Sequence, residues 1–201
     1  MEIINIQAQN PDKEKIARAI EVLKHGGIIL YPTDTIYGLA VDINNESAIK
    51  KLYSLKKRPF NKPISICISD VDEISKFAYI TPGIQKSVFK LLPGPFTIIL
   101  EKKSSISSLL TAGTEKIGIR IPDINLCRDL CLEFPITSTS ANISGLIPKE
   151  SIEGIIHQLG DKIDLILNAG MVKNNQPSTV IDFTVKPPKI LRQGAGKYQI
   201  Y

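Results

Sequence analysis

Residues 26–40 read GGIILYPTDTIYGLA, and this stretch decides the fold. Gly26-Gly27 closes the helical pattern that precedes it. Ile28-Ile29-Leu30-Tyr31 is a short apolar run without alternation, the mark of a strand buried on both faces. Pro32-Thr33-Asp34-Thr35 then sets small polar side chains at the C-terminal end of that strand, where α/β proteins commonly hold ligands. The competing reading is an ordinary turn in which Asp34 bonds its own backbone.

The pattern extends in both directions. Upstream, Asn10 is a candidate cap and Pro11 a candidate first residue for a helix striped with Ile16, Ile20 and Leu23. Downstream, residues 47–57 and 82–92 read as helices, the second stopped by Pro93-Gly94-Pro95. Residues 64–68 and 96–100 read as strands. Ile117, Ile119 and Ile121 alternate with Gly118 and Arg120, giving a half-buried strand with Arg120 on the face away from the isoleucines. Residues 126–134 and 151–159 are helical, a short strand starts at Ile136, and 163–167, 179–183 and 190–192 are further strands. Helices and strands interleave from end to end, so helices pack on the faces of one sheet. The later strands lack long helices between them, which makes the sheet mixed. Pro187-Pro188 reads as a turn, and the chain shows no repeat or linker.

With 201 residues, a net charge of +5, 43% apolar and 22% charged residues, the chain is a globular domain and neither disordered nor collagen-like. No apolar run approaches the roughly 18 residues of a membrane span. The odd trio Cys67, Cys127 and Cys131 makes no disulfide framework and fits a reducing, cytoplasmic setting. Cys127 and Cys131 sit four apart beside Leu126 and Leu130, which reads as buried core thiols before metal ligands. A basic surplus fits an anionic partner, nucleotide or nucleic acid.

Standard nucleotide motifs are missing: Gly194-Ala195-Gly196-Lys197 lacks the spacing of a P-loop. The polar residues gather instead at strand ends. Lys56-Lys57-Arg58-Pro59-Phe60-Asn61-Lys62 is the densest basic segment. A helix C-terminus attracts one or two cations, but Lys62 lies past Pro59 and outside the helix. The segment could therefore surround a polyphosphate, Arg as a planar fork and Lys as a point charge. Thr137-Ser138-Thr139-Ser140-Ala141-Asn142-Ile143-Ser144-Gly145 is a run of small hydrogen-bonding side chains that can line a pocket with little bulk. Ser178 and Arg192 flank the last pair of strands. Taken alone, Arg120 reads as an ordinary solvated arginine on a strand.

In order, GGIILYPTDTIYGLA, KKRPFNKPISI, PGPFTIIL, IGIRIP, TSTSANISG, STVIDFT and ILRQGAGK resemble the YrdC/Sua5/YciO family. The likeness runs from about residue 10 to residue 197. It implies one three-layer α/β domain over 1–201 (YrdC/RibB-like, α+β in stricter schemes), with a mixed, twisted sheet around a basic cavity. It implies an L-threonylcarbamoyladenylate synthase, a nucleotidyltransferase that joins L-threonine, bicarbonate or CO2, and ATP with release of pyrophosphate. That product serves N6-threonylcarbamoyladenosine formation in tRNA, through a downstream transferase complex. The resemblance carries ATP contacts onto Lys56, Arg58, Lys62, Lys116, Asn142 and Arg192. It carries threonine contacts onto Thr35, Cys67, Arg120, Ser140 and Ser178. No catalytic nucleophile is implied: Lys56 and Arg58 position and neutralise charge. Mg²⁺ is expected with ATP, held by few protein ligands, and no dedicated metal site is expected.

Two departures bear on this assignment. Cys67 stands where many members carry a His that touches threonine. Only four residues follow Lys197, the pattern of the short type. A YciO-type paralogue with another small-molecule substrate, and an RNA-binding protein for tRNA or double-stranded RNA, are the alternatives. A monomer or weak dimer is expected.

Overall fold

The computed structural model describes residues 1–172 and 176–199. Its strands are β1 (Glu2–Asn5), β2 (Ile29–Tyr31), β3 (Gly38–Ala40), β4 (Ser65–Cys67), β5 (Ala78–Tyr79), β6 (Phe96–Lys102), β7 (Lys116–Arg120), β8 (Ile136–Ser140), β9 (Leu165–Asn168), β10 (Thr179–Asp182) and β11 (Lys189–Arg192). Its helices are α1 (Lys13–Lys24), α2 (Glu46–Leu55), α3 (Ile74–Phe77), α4 (Pro82–Leu91), α5 (Ser108–Thr111), α6 (Asn125–Leu130) and α7 (Ile152–Leu159).

The strands form one sheet in the order β1-β9-β2-β3-β8-β4-β7-β6-β10-β11, with β5 beside the far end of β6. β1/β9, β9/β2, β4/β7 and β6/β10 are parallel and the other pairs antiparallel. The expected mixed, twisted α/β sheet is therefore what the chain forms. β8 is the seam, antiparallel to β3 on one side and to β4 on the other.

Alternation along the strands sorts the core into two layers. Leu30, Leu39, Ile66, Ile98, Ile117 and Ile119 join the larger cluster with residues of α2, α4 and α7. Ile29, Tyr31, Ala40, Cys67 and Ile136 join the smaller one with α1 and α6. Each fully buried Leu or Ile contributes about 1.5–3 kcal/mol by leaving water.

Helix boundaries correct the sequence reading at the start of α1. The cap is Asp12, whose carboxylate accepts from the N–H groups of Glu14 (2.9 Å) and Lys15 (3.4 Å). Asn10 and Pro11 lie ahead of the helix, because Asp12 is the acceptor that reaches its free N–H groups. His25 ends α1, and Gly26 follows at a φ of +74°, the left-handed turn that favours glycine.

Candidate active site

α1 and α6 pack on one face of the sheet together with Cys67, and Arg120, beside Cys67, opens onto a cleft. Ser65 and Thr97 form the floor of that cleft, with Gly118 packed against both. Register explains the grouping: Ser65 stands beside Gly118 and Thr97 beside Arg120, all on the face opposite the isoleucines of β7. Gly118 keeps the floor flat, since a Cβ there would strike the Ser65 side chain and press on Thr97. The walls are Tyr37 and Gly38, Arg58 with Pro63 and Ile64, Ser138–Ser140 on β8, and Ser178 with Arg192. The cavity volume is about 140 Å³.

Three guanidinium groups meet there. Arg120 is buried, and its Nη2 donates to Asp34 Oδ1 and to Thr35 Oγ1, both at 2.5 Å, and to Thr33 Oγ1 at 3.4 Å. Its buried Nε has no partner, which leaves a donor for a ligand oxygen. Arg58 has no carboxylate; it donates to the carbonyls of Lys62 (3.1 Å) and Pro63 (2.7 Å) and to Ser144 Oγ (3.4 Å). Burial lowers its guanidinium below the usual Arg range. Arg192 is exposed overall, yet its guanidinium donates to the carbonyl of Ser178 at 2.8 and 3.1 Å and to Ser178 Oγ at 3.2 Å. Partial burial, and after it the charge of Arg120, lowers it as well. Among the described residues Asp34 is the one carboxylate bonded to these three arginines, so the cleft is cationic and suits an anion.

Behind the wall, Lys56 follows α2 and is 1% exposed. Its Nζ donates to the carbonyl oxygens of Ser140 and of Asn142 (2.8 Å) and lies 3.5 Å from Asn142 Oδ1. Burial, and then Arg58, lowers the Lys56 ammonium to about 7. Asn142 Nδ2 closes the turn onto the carbonyls of Ile143 (2.9 Å) and Leu146 (2.6 Å).

The predicted residues divide into three groups. Arg58, Arg120, Ser140, Ser178 and Arg192 line the cleft. Thr35, Lys56 and Asn142 are buried directly behind it, bonded to Arg120 or to Ser140. Lys62, Lys116 and Cys67 do not line it. Lys62 is exposed on the Arg58 loop, its carbonyl held by Arg58 and by Tyr53 Oη. Lys116 shares its face of β7 with Gly118 and Arg120 and pairs with Asp182 at 2.8 Å. Burial works to raise the Asp182 carboxyl, but hydrogen bonds from Lys116 and Thr184 outweigh it and hold it below the usual Asp range. Cys67 is fully buried in the smaller core with Cys127 and Cys131, as expected of core thiols for the latter two.

Sequence reasoning missed Asp34 as the partner of Arg120, and it missed Ser65 and Thr97 on the floor. Thr97 Oγ1 and Ser178 Oγ share a hydrogen bond of 2.7 Å. Among the described residues, no group of three His, Cys, Asp or Glu side chains is placed to hold a metal ion, and no helix is long and apolar enough to cross a membrane.

The fold and cleft define a class: an α/β protein with a cationic, hydroxyl-lined site for a small anion. The Sua5/YciO/YrdC family model, described as telomere recombination, matches residues 21–194, and the chain belongs to that family. A Methanocaldococcus jannaschii relative named "Putative threonylcarbamoyl-AMP synthase" is 41% identical over 183 residues, 89% of this chain and 86% of the relative. Further relatives at 31–33% identity bear the name threonylcarbamoyl-AMP synthase. The crystal structure of P. abyssi Sua5 complexed with L-threonine superposes with a TM-score of 0.90 at 31% identity; the match covers 96% of this chain and 58% of that one. The E. coli YciO crystal structure gives the same TM-score at 28% identity and 98% coverage of both chains.

Proposed function

We propose that the protein is an L-threonylcarbamoyl-AMP synthase. The observation that carries this reading is the set of three guanidinium groups around one hydroxyl-lined cleft, with a single carboxylate among their partners. A threonine carboxylate would take the unpartnered Arg120 Nε, with Thr35, Ser140 and Ser178 nearby for its amine and hydroxyl. Arg58 and Arg192 would hold the ATP phosphates, with Lys62 and Lys116 reaching in from the rim. Asn142 would set the ATP side of its turn. Cys67 would shape the threonine end through the core beneath Arg120 and make no direct contact.

The chemistry suits these residues. The neutral threonine amine captures CO2, forming the C–N bond of a carbamate and releasing its proton to solvent. A carbamate oxygen then attacks the α-phosphorus, the bond to the bridging oxygen breaks, and pyrophosphate leaves. Such a transfer is served by positioning and by fixed positive charge on the phosphate oxygens, and needs no protein nucleophile. Mg²⁺ would arrive as the counterion of ATP and offset phosphate charge. The residues present do not fit a protein-held Mg²⁺, since Asp34 is engaged by Arg120 and by the backbone N–H of Asp123 (3.3 Å).

The test is a product assay with Mg-ATP, bicarbonate and L-threonine. Threonylcarbamoyl-AMP and pyrophosphate are expected, and both should vanish when threonine is omitted. ATP binding without product would overturn the synthase reading in favour of a YciO-like specificity. A second reading, RNA binding, has one specific observation behind it. No acidic residue occurs from Ile74 to Leu100 or after Asp182, so the charges of α4 and of β11 are all basic.

A further inference from the structure

The Lys56 ammonium has three oxygen neighbours: the Ser140 carbonyl, the Asn142 carbonyl and Asn142 Oδ1. They belong to Ser140, the last residue of β8, and to Asn142 in the turn that follows. The main chain adds a second tie, because the Ser144 N–H donates to the Lys56 carbonyl at 2.8 Å. The turn is knitted within itself by Ser140 Oγ bonding Asn142 Oδ1 and by the Asn142 N–H on the Ser140 carbonyl. Lys56 is 1% exposed and does not line the cleft, whereas Arg58, two residues on, does. A phosphate bound directly to Lys56 would have to strip carbonyls from a buried ammonium and leave them unpaired, which is costly.

We propose that Lys56 is a positioning residue: it fastens the Ser140–Ser144 turn in the shape that presents Ser140 to the cleft and Ser144 Oγ to Arg58, and does not itself contact the nucleotide phosphates. The proposal deepens the functional reading above and rests on it. Its signature is coupling. A phosphate contact serves ATP alone. A clamp on a turn that lines the cleft at Ser140 and accepts from Arg58 at Ser144 serves threonine and ATP together.

The experiment measures the affinity of threonine alone, of ATP alone and of inorganic pyrophosphate, in the wild type and in Lys56→Met, Lys56→Gln and Arg58→Ala. Lys56→Met keeps the stem and removes every donor; threonine and ATP should each weaken about tenfold or more. Lys56→Gln keeps two N–H donors without the charge and should recover part of the threonine affinity. Arg58→Ala should weaken ATP and pyrophosphate and leave threonine close to wild type. Loss of ATP with unchanged threonine affinity in both Lys56 variants would overturn the clamp and make Lys56 a phosphate contact. Should neither variant fold, the wild type decides by ¹⁵N-lysine NMR. The Lys56 ammonium signal is expected to stay in place on adding pyrophosphate, and a shift as large as that of an exposed phosphate-binding lysine would refute the clamp. A wild type that binds neither threonine nor ATP defeats the synthase reading itself, an outcome separate from any of these.

Discussion

Replacing Asp34 by Asn tests the electrostatic plan of the site most directly. Arg120 and Asp34 have side chains only 8% and 11% exposed and meet at 2.5 Å. Removing one partner of a buried pair costs about 3–5 kcal/mol, because the remaining charge is left uncompensated. Asn keeps an oxygen acceptor, and Thr33 and Thr35 still accept from Arg120. What is lost is the charge assistance of one strong bond, about 1.5–3 kcal/mol. For a chain of this size, that predicts a melting temperature lower by about 3–12 °C. Arg120 should also lose its fixed aim, so the KM for threonine should rise more than kcat falls. Thermal unfolding and steady-state kinetics on Asp34→Asn would check both. The double variant Asp34→Asn/Arg120→Met should regain stability relative to Asp34→Asn, since no unpaired charge remains buried. If Asp34→Asn melts with the wild type and binds threonine as well, the pair is not what holds Arg120, and the argument fails.

Four further outcomes are expected. Between pH 7 and 10.5 the unfolded chain keeps the Lys56 proton and the folded chain, with its ammonium lowered to about 7, sheds it. Stability should therefore rise with pH in that window, by up to about 1.4 kcal/mol per unit, and Lys56→Met should remove the rise in urea titrations. Gly118→Val should fold, because Gly118 does not have positive φ, but the added methyls would occupy the cleft floor against Ser65. Calorimetry should show threonine and ATP binding lost together. Thr97→Val removes the hydroxyl paired with Ser178 and should cost about 1 kcal/mol of stability, with a weaker threonine affinity. Leu52→Ala, in the larger core and fully buried, should cost about 2–5 kcal/mol in chemical denaturation without changing the site.

The sequence reveals periodicity and small-residue clusters well and long-range partnerships poorly. The apolar run at residues 28–31 and the Ile alternation of β7 announce their strands, because burial on two faces or one leaves a pattern. β3 does not announce itself: it is three residues long and follows a polar loop. β1 hides because its edge position leaves Ile3 half exposed. Arg120 reads as a solvated residue within its own strand. Its burial follows from Asp34, which is 86 positions away, and only the sheet order β2-β3-β8-β4-β7 brings the loop after β2 over it. For the same reason Asp34 reads locally as a turn former. Arg58, Ser140 and Arg192 were found through motif order, whereas Ser65 and Thr97 carry no signal until the sheet places them beside Gly118. Cys67 shows the opposite limit: its position matched a ligand contact in relatives, and packing puts its side chain in the core.

The two ends of the sheet have a practical meaning for anyone handling the protein. β1 forms one edge and β11 the other, with eight strands between them in the sheet order. Arg192, on β11, is part of the cleft. A purification tag or surface tether placed ahead of Met1 would sit across the molecule from the ligands and leave them undisturbed. A fluorophore on the exposed Leu191, beside Arg192 on β11, would stand at the cleft's edge of the sheet and report occupancy directly.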